Sequence, residues 1–93
     1  MDVKIINARM TQSKEDGFVG AVQFEVEGHQ QAYEMALQSK RGKDWGYGLF
    51  FLDGSGNEEQ LLLVEEEIEE NDELFERLIE AGMAALQEQT KET

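Results

Sequence analysis

The chain has 93 residues and a net charge of −13, and its length predicts one domain spanning residues 1–93. It contains no cysteine, which excludes disulfides, thiolate nucleophiles and cysteine-based zinc sites. Its negative field repels phosphate backbones and anionic membranes, so we expect neither nucleic acid nor a membrane as a partner.

The first half of the chain predicts four strands, because apolar and polar residues alternate along much of it. The predicted bounds are residues 3–10, 18–27, 31–39 and 45–53. Asp16 and Gly17 form a typical hairpin dipeptide between the first two strands. The core face predicted for the second and third strands consists of Phe18, Val22, Phe24, Val26, Tyr33, Met35 and Leu37.

The second half of the chain predicts helices. Leu61, Val64 and Ile68 recur at spacings of three and four, which is the stripe of an amphipathic helix. A short strand at 61–64 is the competing interpretation, because four adjacent apolar residues suit either structure. Beyond residue 71 a broader helical face is formed by Leu74, Phe75, Leu78, Ile79, Met83 and Leu86.

A single helix over 57–89 would place many like charges three or four residues apart, which is destabilising. A break near Asn71 and Asp72 instead puts acidic residues at a helix N-terminus, where the helix dipole favours them. We therefore expect an α+β domain: a four-stranded antiparallel sheet in residues 1–53, then an acidic helical part in 57–90. Its two C-terminal helices would pack on one face, in chain order ββββαα.

The connection between the two halves resembles the start of a calcium loop. Its alternating oxygen side chains are the candidate metal ligands Asp53, Ser55, Asn57 and Glu59. An EF-hand counted from Asp53 needs glycine at its sixth position and Glu at its twelfth, but Glu58 and Val64 stand there. A strand-to-helix connection with Asn57 as the helix cap is therefore favoured, and a weak divalent-cation site is the alternative.

No catalytic motif or cofactor fingerprint occurs in the sequence, so we expect a protein that is not an enzyme and carries no cofactor. His29 is the only histidine, and its position beside Gly28 predicts an exposed turn residue. The glutamate runs are typical of a solvated helix face. No signal peptide is expected from the first ten residues, and together with the absence of cysteine this favours a cytoplasmic protein.

The predicted fourth strand is apolar on both faces. Trp45, Tyr47, Leu49 and Phe51 lie on one face and Phe50 and Leu52 on the other. The first strand is similar, with Val3 and Ile5 opposite Ile6, Ala8 and Met10. A strand order of 4-1-2-3 would join these apolar regions, whereas a simple meander would separate them at opposite edges. Large uncovered apolar side chains commonly mark partner surfaces, and the candidates are Trp45, Tyr47, Leu49, Phe50 and Leu52.

The leading functional expectation is a small protein-interaction or regulatory module that binds a protein partner or a second copy of itself through these residues. An acidic nucleic-acid mimic is a second hypothesis. Its basis is that residues 53–93 contain fourteen acidic and two basic residues, a net charge of −12. Such a mimic would occupy a basic protein through long-range attraction.

Overall fold

The sheet of the computed structural model is an antiparallel meander in the order β1-β2-β3-β4. The strands are β1 (Val3–Ser13), β2 (Gly17–Val26), β3 (Tyr33–Ser39) and β4 (Gly46–Phe51). The structure describes residues 1–91, with side chains described for residues 1–87, so the end of the predicted single domain, residues 92–93, lies outside it. Because β1 and β4 are opposite edges, their apolar side chains form two separate regions.

Two helices follow the sheet, α1 (Glu58–Glu70) and α2 (Asp72–Lys91). The helix α2 packs against β1 and β2, and α1 packs against β4 and α2. This confirms the α+β fold in the order ββββαα, and residues 61–64 are helical rather than a fifth strand. Within the described residues, neither helix is long and apolar enough to span a membrane.

The core lies between the helices and one face of the sheet. The inward side chains predicted for β2 and β3 are buried there, with Phe18 only partly buried at its border. Burying an apolar side chain of this size contributes roughly 1.5–3 kcal/mol, so this face supplies most of the favourable packing. The buried core residues are Val3, Met10, Val22, Phe24, Val26, Tyr33, Met35, Leu37, Leu49, Val64, Ile68, Leu74 and Leu78.

A β-bulge at Ile6 corrects the prediction for the first strand. The register passes from Ile5 opposite Phe24 to Asn7 opposite Gln23, which leaves Ile6 without a partner. One extra residue shifts the side-chain alternation to the other face. Ala8 therefore returns to the core face that Val3 and Ile5 already occupy, as does Met10, and Ile6 is exposed.

Asn57 begins α1 as predicted, because its Oδ1 accepts a hydrogen bond from the backbone amide of Gln60 at 3.1 Å. In a capping box the Gln60 side chain would bond back to the Asn57 amide. The Gln60 side-chain Oε1 instead accepts from the backbone amide of Gln30 at 3.0 Å. This contact ties the β2–β3 connection to the first turn of α1.

Asn71 separates the two helices. Its backbone amide donates to the Glu67 carbonyl at 2.8 Å, closing α1, and its Oδ1 accepts from the Leu74 amide at 3.2 Å, opening α2. Asp72 and Glu73 occupy the first turn of α2, where the helix dipole stabilises negative charge. The predicted break is confirmed: the single residue Asn71 ends α1 and begins α2, and α2 turns back over the sheet.

Replacing Asn71 tests this break. We expect Asn71→Ala to lower the free energy of unfolding by about 1 kcal/mol, because the Leu74 amide loses its acceptor. Asn71→Ser retains a capping oxygen and should cost much less. Urea denaturation of both variants measures the difference. Equal losses in the two variants would contradict a capping role for this side chain.

Candidate functional site

The structure divides the predicted binding residues of β4 between two faces. Tyr47, Leu49 and Phe51 point toward the helices, whereas Phe50 points away from them and is 55% exposed. Leu49 is only 8% exposed and belongs to the core, so its side chain offers little surface to a partner. Of the strand residues, Phe50 provides the largest accessible apolar surface.

Trp45 and Leu52 flank the strand and are both half-buried. The Trp45 ring packs against Phe18, with ring centroids 5.9 Å apart. It also lines a cleft of about 500 Å³ whose other wall is formed by Phe75 and Ile79 of α2. Trp45 therefore closes one end of the core and is not part of the surface around Phe50.

The sheet face opposite the helices, here called the open face, carries a shallow apolar cavity at Phe50. The cavity has a volume of about 310 Å³, and its lining includes Val19, Ala36 and Gly48. A side chain at Gly48 would have its Cβ 3.0 Å from the Phe50 ring. Glycine at this position therefore leaves room for the Phe50 ring to lie close to the strand backbone.

The outer edge of β4 is unpaired. The Leu52 amide donates to the Ala32 carbonyl at 3.0 Å, continuing the β3–β4 ladder. Bonding direction alternates along an antiparallel strand, so the amides and carbonyls of Tyr47, Leu49 and Phe51 face away from β3. Within residues 1–91, none of these three has a backbone hydrogen bond to an element outside the sheet. We call these backbone groups the β4 edge.

A groove of about 490 Å³ lies between β4 and α1. Its apolar lining consists of Tyr47, the small exposed part of Leu49, and Leu62, which is 56% exposed. The remaining side chains that line it are acidic, and we call the whole the acidic groove. These acidic residues of α1 are Glu65, Glu66, Glu69 and Glu70.

The charges of the acidic groove oppose the stability of α1. Glu66 and Glu70 are four residues apart, where like charges repel. Both lie toward the C-terminus of α1, where the dipole disfavours anions, and the last turn contains no basic residue. Arg77 of α2 is engaged elsewhere, because its Nη2 donates to the Val3 carbonyl at 3.0 Å. Among residues 1–87, whose side chains are described, no cationic group forms a salt bridge with the four groove carboxylates, so the groove carries a net negative charge.

Tyr47 connects β4 to this charge. Its hydroxyl donates to Glu69 Oε1 at 2.7 Å, and its ring lies 5.4 Å from that of Phe75. Burial, the hydrogen bond to Glu69 and the charges of Glu69 and Glu65 together raise the pKa of Tyr47 to about 12. Each of these factors favours the neutral phenol over the phenolate. Tyr47 thus remains a hydrogen-bond donor that orients a groove carboxylate.

His29 is half-buried rather than an exposed turn residue, which corrects the prediction. Its Nδ1 lies 2.8 Å from the Tyr33 hydroxyl, and the two rings meet edge-on at 5.8 Å. Tyr33 is fully buried, and burial raises its pKa. Since a buried hydroxyl requires a partner, His29 satisfies this polar group at the end of the core.

The connection from 53 to 59 shows an ordinary strand-to-helix geometry. Asn57 directs its oxygen to the α1 amide of Gln60, as described above, while Asp53, Ser55 and Glu59 are exposed. Gly54 has a φ of 60°, a left-handed conformation that glycine adopts without strain. Among the described residues, no three His, Cys, Asp or Glu side chains are placed to hold a metal ion.

Of the side chains that line the acidic groove, the sequence predicted only Tyr47 and Leu49 as binding residues, although two signals pointed to those of α1. One is the run of glutamates in α1. The other is an excess of leucines: Leu61, Val64 and Ile68 complete the buried or partly buried stripe. Leu62 and Leu63 are not needed for that stripe, and they are 56% and 51% exposed.

Comparison of the chain with protein-family models, with curated proteins and with solved structures gave no match.

The raised pKa of Tyr47 predicts a specific loss of stability at high pH. A tyrosine that ionises near pH 10 when unfolded and near 12 when folded stabilises the fold fully below pH 10. That contribution is lost as the pH rises from about 10 to about 12. Unfolding free energies should fall less steeply over this window in Tyr47→Phe than in the wild type.

Spectrophotometric titration of the phenolates near 295 nm provides a direct check, because the chain contains only two tyrosines. Glu69→Gln keeps an acceptor for the hydroxyl and removes the charge, so it should move the pKa of Tyr47 back toward 10. A pKa near 10 for Tyr47 in the folded wild-type protein would contradict the described contact.

A second prediction concerns the acidic residues of α1. Glu66→Gln combined with Glu70→Gln should raise the free energy of unfolding by several tenths of a kcal/mol, because it removes an i,i+4 repulsion and two unfavourable dipole interactions. The control, Glu15→Gln with Glu25→Gln, removes two exposed charges outside the helices. Thermal denaturation at low salt compares the pairs, and a less stable groove variant would refute the assigned repulsion.

Proposed function

We propose that the protein is a non-enzymatic protein-interaction module that binds a basic partner at the acidic groove and the β4 edge. The observation that carries the proposal is that a strand edge, an exposed aromatic ring and a group of carboxylates lie side by side. An unpaired strand edge lies between the exposed Phe50 ring on one side and a carboxylate-lined groove on the other. Backbone, apolar and charged contacts are therefore available to one ligand.

The charge distribution supports a basic partner. Four carboxylates line the groove, and the residues 53–93 to which they belong carry a net charge of −12. A cationic surface would be attracted over a distance by this field and then held by the groove carboxylates. The same field repels a second copy of the chain, which makes a homodimer through this surface less favourable than a basic partner.

The energetic cost of the groove also supports a binding role. Glutamates near the C-terminus of a helix reduce its stability, and no basic residue in the last turn of α1 compensates them. Binding sites commonly retain residues that are unfavourable for folding because a partner requires them. A solubilising role alone could be filled by the same charges nearer the start of a helix.

An acidic nucleic-acid mimic is the second candidate, and the charge of residues 53–93 is the observation that favours it. The two candidates differ in where the energy of binding resides. A mimic would use the whole helical surface, so neutralising any two exposed helix carboxylates would weaken binding equally. A groove-based module would depend on Glu66, Glu70 and Phe50, and it would retain part of its affinity at high salt through apolar contacts.

Affinity capture from the native cell lysate tests the proposal with three variants. The groove variant is Glu66→Gln with Glu70→Gln, the apolar variant is Phe50→Ser, and the control is Glu73→Gln with Glu76→Gln on α2. We expect a partner that the wild type and the control capture, and that the groove and apolar variants lose. A partner lost equally with the groove and control variants, and lost entirely at high salt, would favour the mimic instead.

A further inference from the structure

Resting on the proposed function, we infer that the partner binds as an extended basic strand that adds to the β4 edge. Its side chains would alternate between basic residues facing the acidic groove and apolar residues facing Phe50. The sheet would then gain a fifth strand, and the segment would be recognised by backbone and side chains together. Strand addition to a free sheet edge is a known mode of peptide recognition.

The backbone of β4 supplies the first part of the argument. Tyr47, Leu49 and Phe51 present three amides and three carbonyls at an unpaired edge, spaced two residues apart. An unpaired edge is a template for another strand. The order of the sheet places β3 on the other side of β4, so an added strand would meet no existing strand there.

The second part of the argument concerns the side chains that flank the β4 edge, on the helix side and on the open face. Successive side chains of a strand point to opposite faces, so an added strand would present one set to α1 and the other to the open face. On the helix side it would meet Leu62 and the four groove glutamates. On the open face it would meet the Phe50 ring and the apolar cavity beside it. This predicts basic and apolar residues at alternate positions.

The spacing of side chains along an added strand is close to the spacing of the groove carboxylates along α1. Basic side chains at positions i and i+2 of a strand are about 6.6 Å apart along it. Glu65 and Glu69, like Glu66 and Glu70, are four residues apart on α1, a rise of about 6 Å. Both pairs line the same groove as Tyr47 and Leu49, so two successive basic residues of a ligand strand that runs alongside α1 would each meet a carboxylate.

The same geometry argues against a second copy as the occupant. Pairing of two β4 edges would bring two acidic grooves together, each with four carboxylates and neither with a basic residue in the last turn of α1. Like charges facing each other across an interface cost affinity. A basic segment converts that repulsion into attraction, so we assign the edge to a different protein.

Synthetic peptides provide the test with the intact protein. The ligand probe is Lys-Val-Lys-Val-Lys-Val-Lys, and the matched control has the same composition in blocks, Lys-Lys-Lys-Lys-Val-Val-Val. We expect the alternating peptide to bind several-fold more tightly in a fluorescence titration, because only it separates basic and apolar side chains onto two faces. Equal affinities would show that charge alone is recognised and would overturn the inference.

Hydrogen exchange measured residue by residue reports the binding geometry. The amides of Tyr47, Leu49 and Phe51 should become protected when the alternating peptide binds. The amides of Gly48 and Phe50 already belong to the β3–β4 ladder and serve as internal controls. Protection of the outer three amides without peptide, together with a dimer in sedimentation equilibrium, would assign the edge to a second copy and overturn the inference.

Side-chain variants complete the test. Glu66→Gln with Glu70→Gln should weaken the alternating peptide roughly threefold to tenfold, the range for two partly exposed charge pairs. Phe50→Ser should also weaken it, whereas Ile6→Ser, an exposed apolar residue on the opposite edge strand, should not. Circular dichroism establishes that each variant is folded. Weaker peptide binding by either the folded groove variant or folded Phe50→Ser would locate the peptide at this site.

The outcomes separate this inference from the proposed function. If the groove variant loses its lysate partner while the peptide gives no protection of the β4 edge, the partner binds the groove in another conformation. The strand-addition inference and the β4-edge part of the proposed function would then be wrong, and binding of a basic partner at the acidic groove would stand. If the folded groove and apolar variants bind the lysate partner as the wild type does, both would be rejected.

Discussion

Residues 58–91 provide two helices, which is enough to cover one face of a four-stranded sheet and no more. Because Asn71 ends α1 and begins α2 within a single residue, both helices return over the same face. The core forms there, and the open face keeps Phe50 and Val19 exposed. The meander order then leaves β4 at an edge beside α1. The groove, the edge and the exposed ring are consequences of this one-sided coverage.

Local patterns in the sequence predicted most of the fold. Alternation identified the core faces of β2 and β3. Oxygen side chains marked the helix starts at Asn57 and near Asn71 and Asp72, because capping depends on neighbours in the chain. The bulge at Ile6 was not predicted, because it depends on pairing with another strand and not on neighbours in the chain. The alternation is intact on both sides of it, and only the pairing with β2 shows that one residue has no partner.

The site was less predictable because it depends on tertiary contacts. The sequence identified Phe50 as part of an apolar surface, but it could not place Leu49 in the core or bring α1 beside β4. The interaction of Tyr47 with Glu69 spans 22 residues, and that of His29 with Tyr33 depends on where the β2–β3 turn directs the imidazole. Strand order and helix placement are needed before such partners can be assigned.

An unpaired strand edge is a hazard as well as a binding site, because it can pair with other copies and aggregate. Carboxylates beside the β4 edge reduce that hazard, since two copies approaching through it repel each other. They do not repel a cationic strand. The glutamates that lower the stability of α1 can therefore serve both purposes, keeping the edge free of self-association and selecting a basic ligand. Under the proposed function, this dual effect would account for the position of the charges beside an open edge that adjoins exposed Phe50 and Leu62.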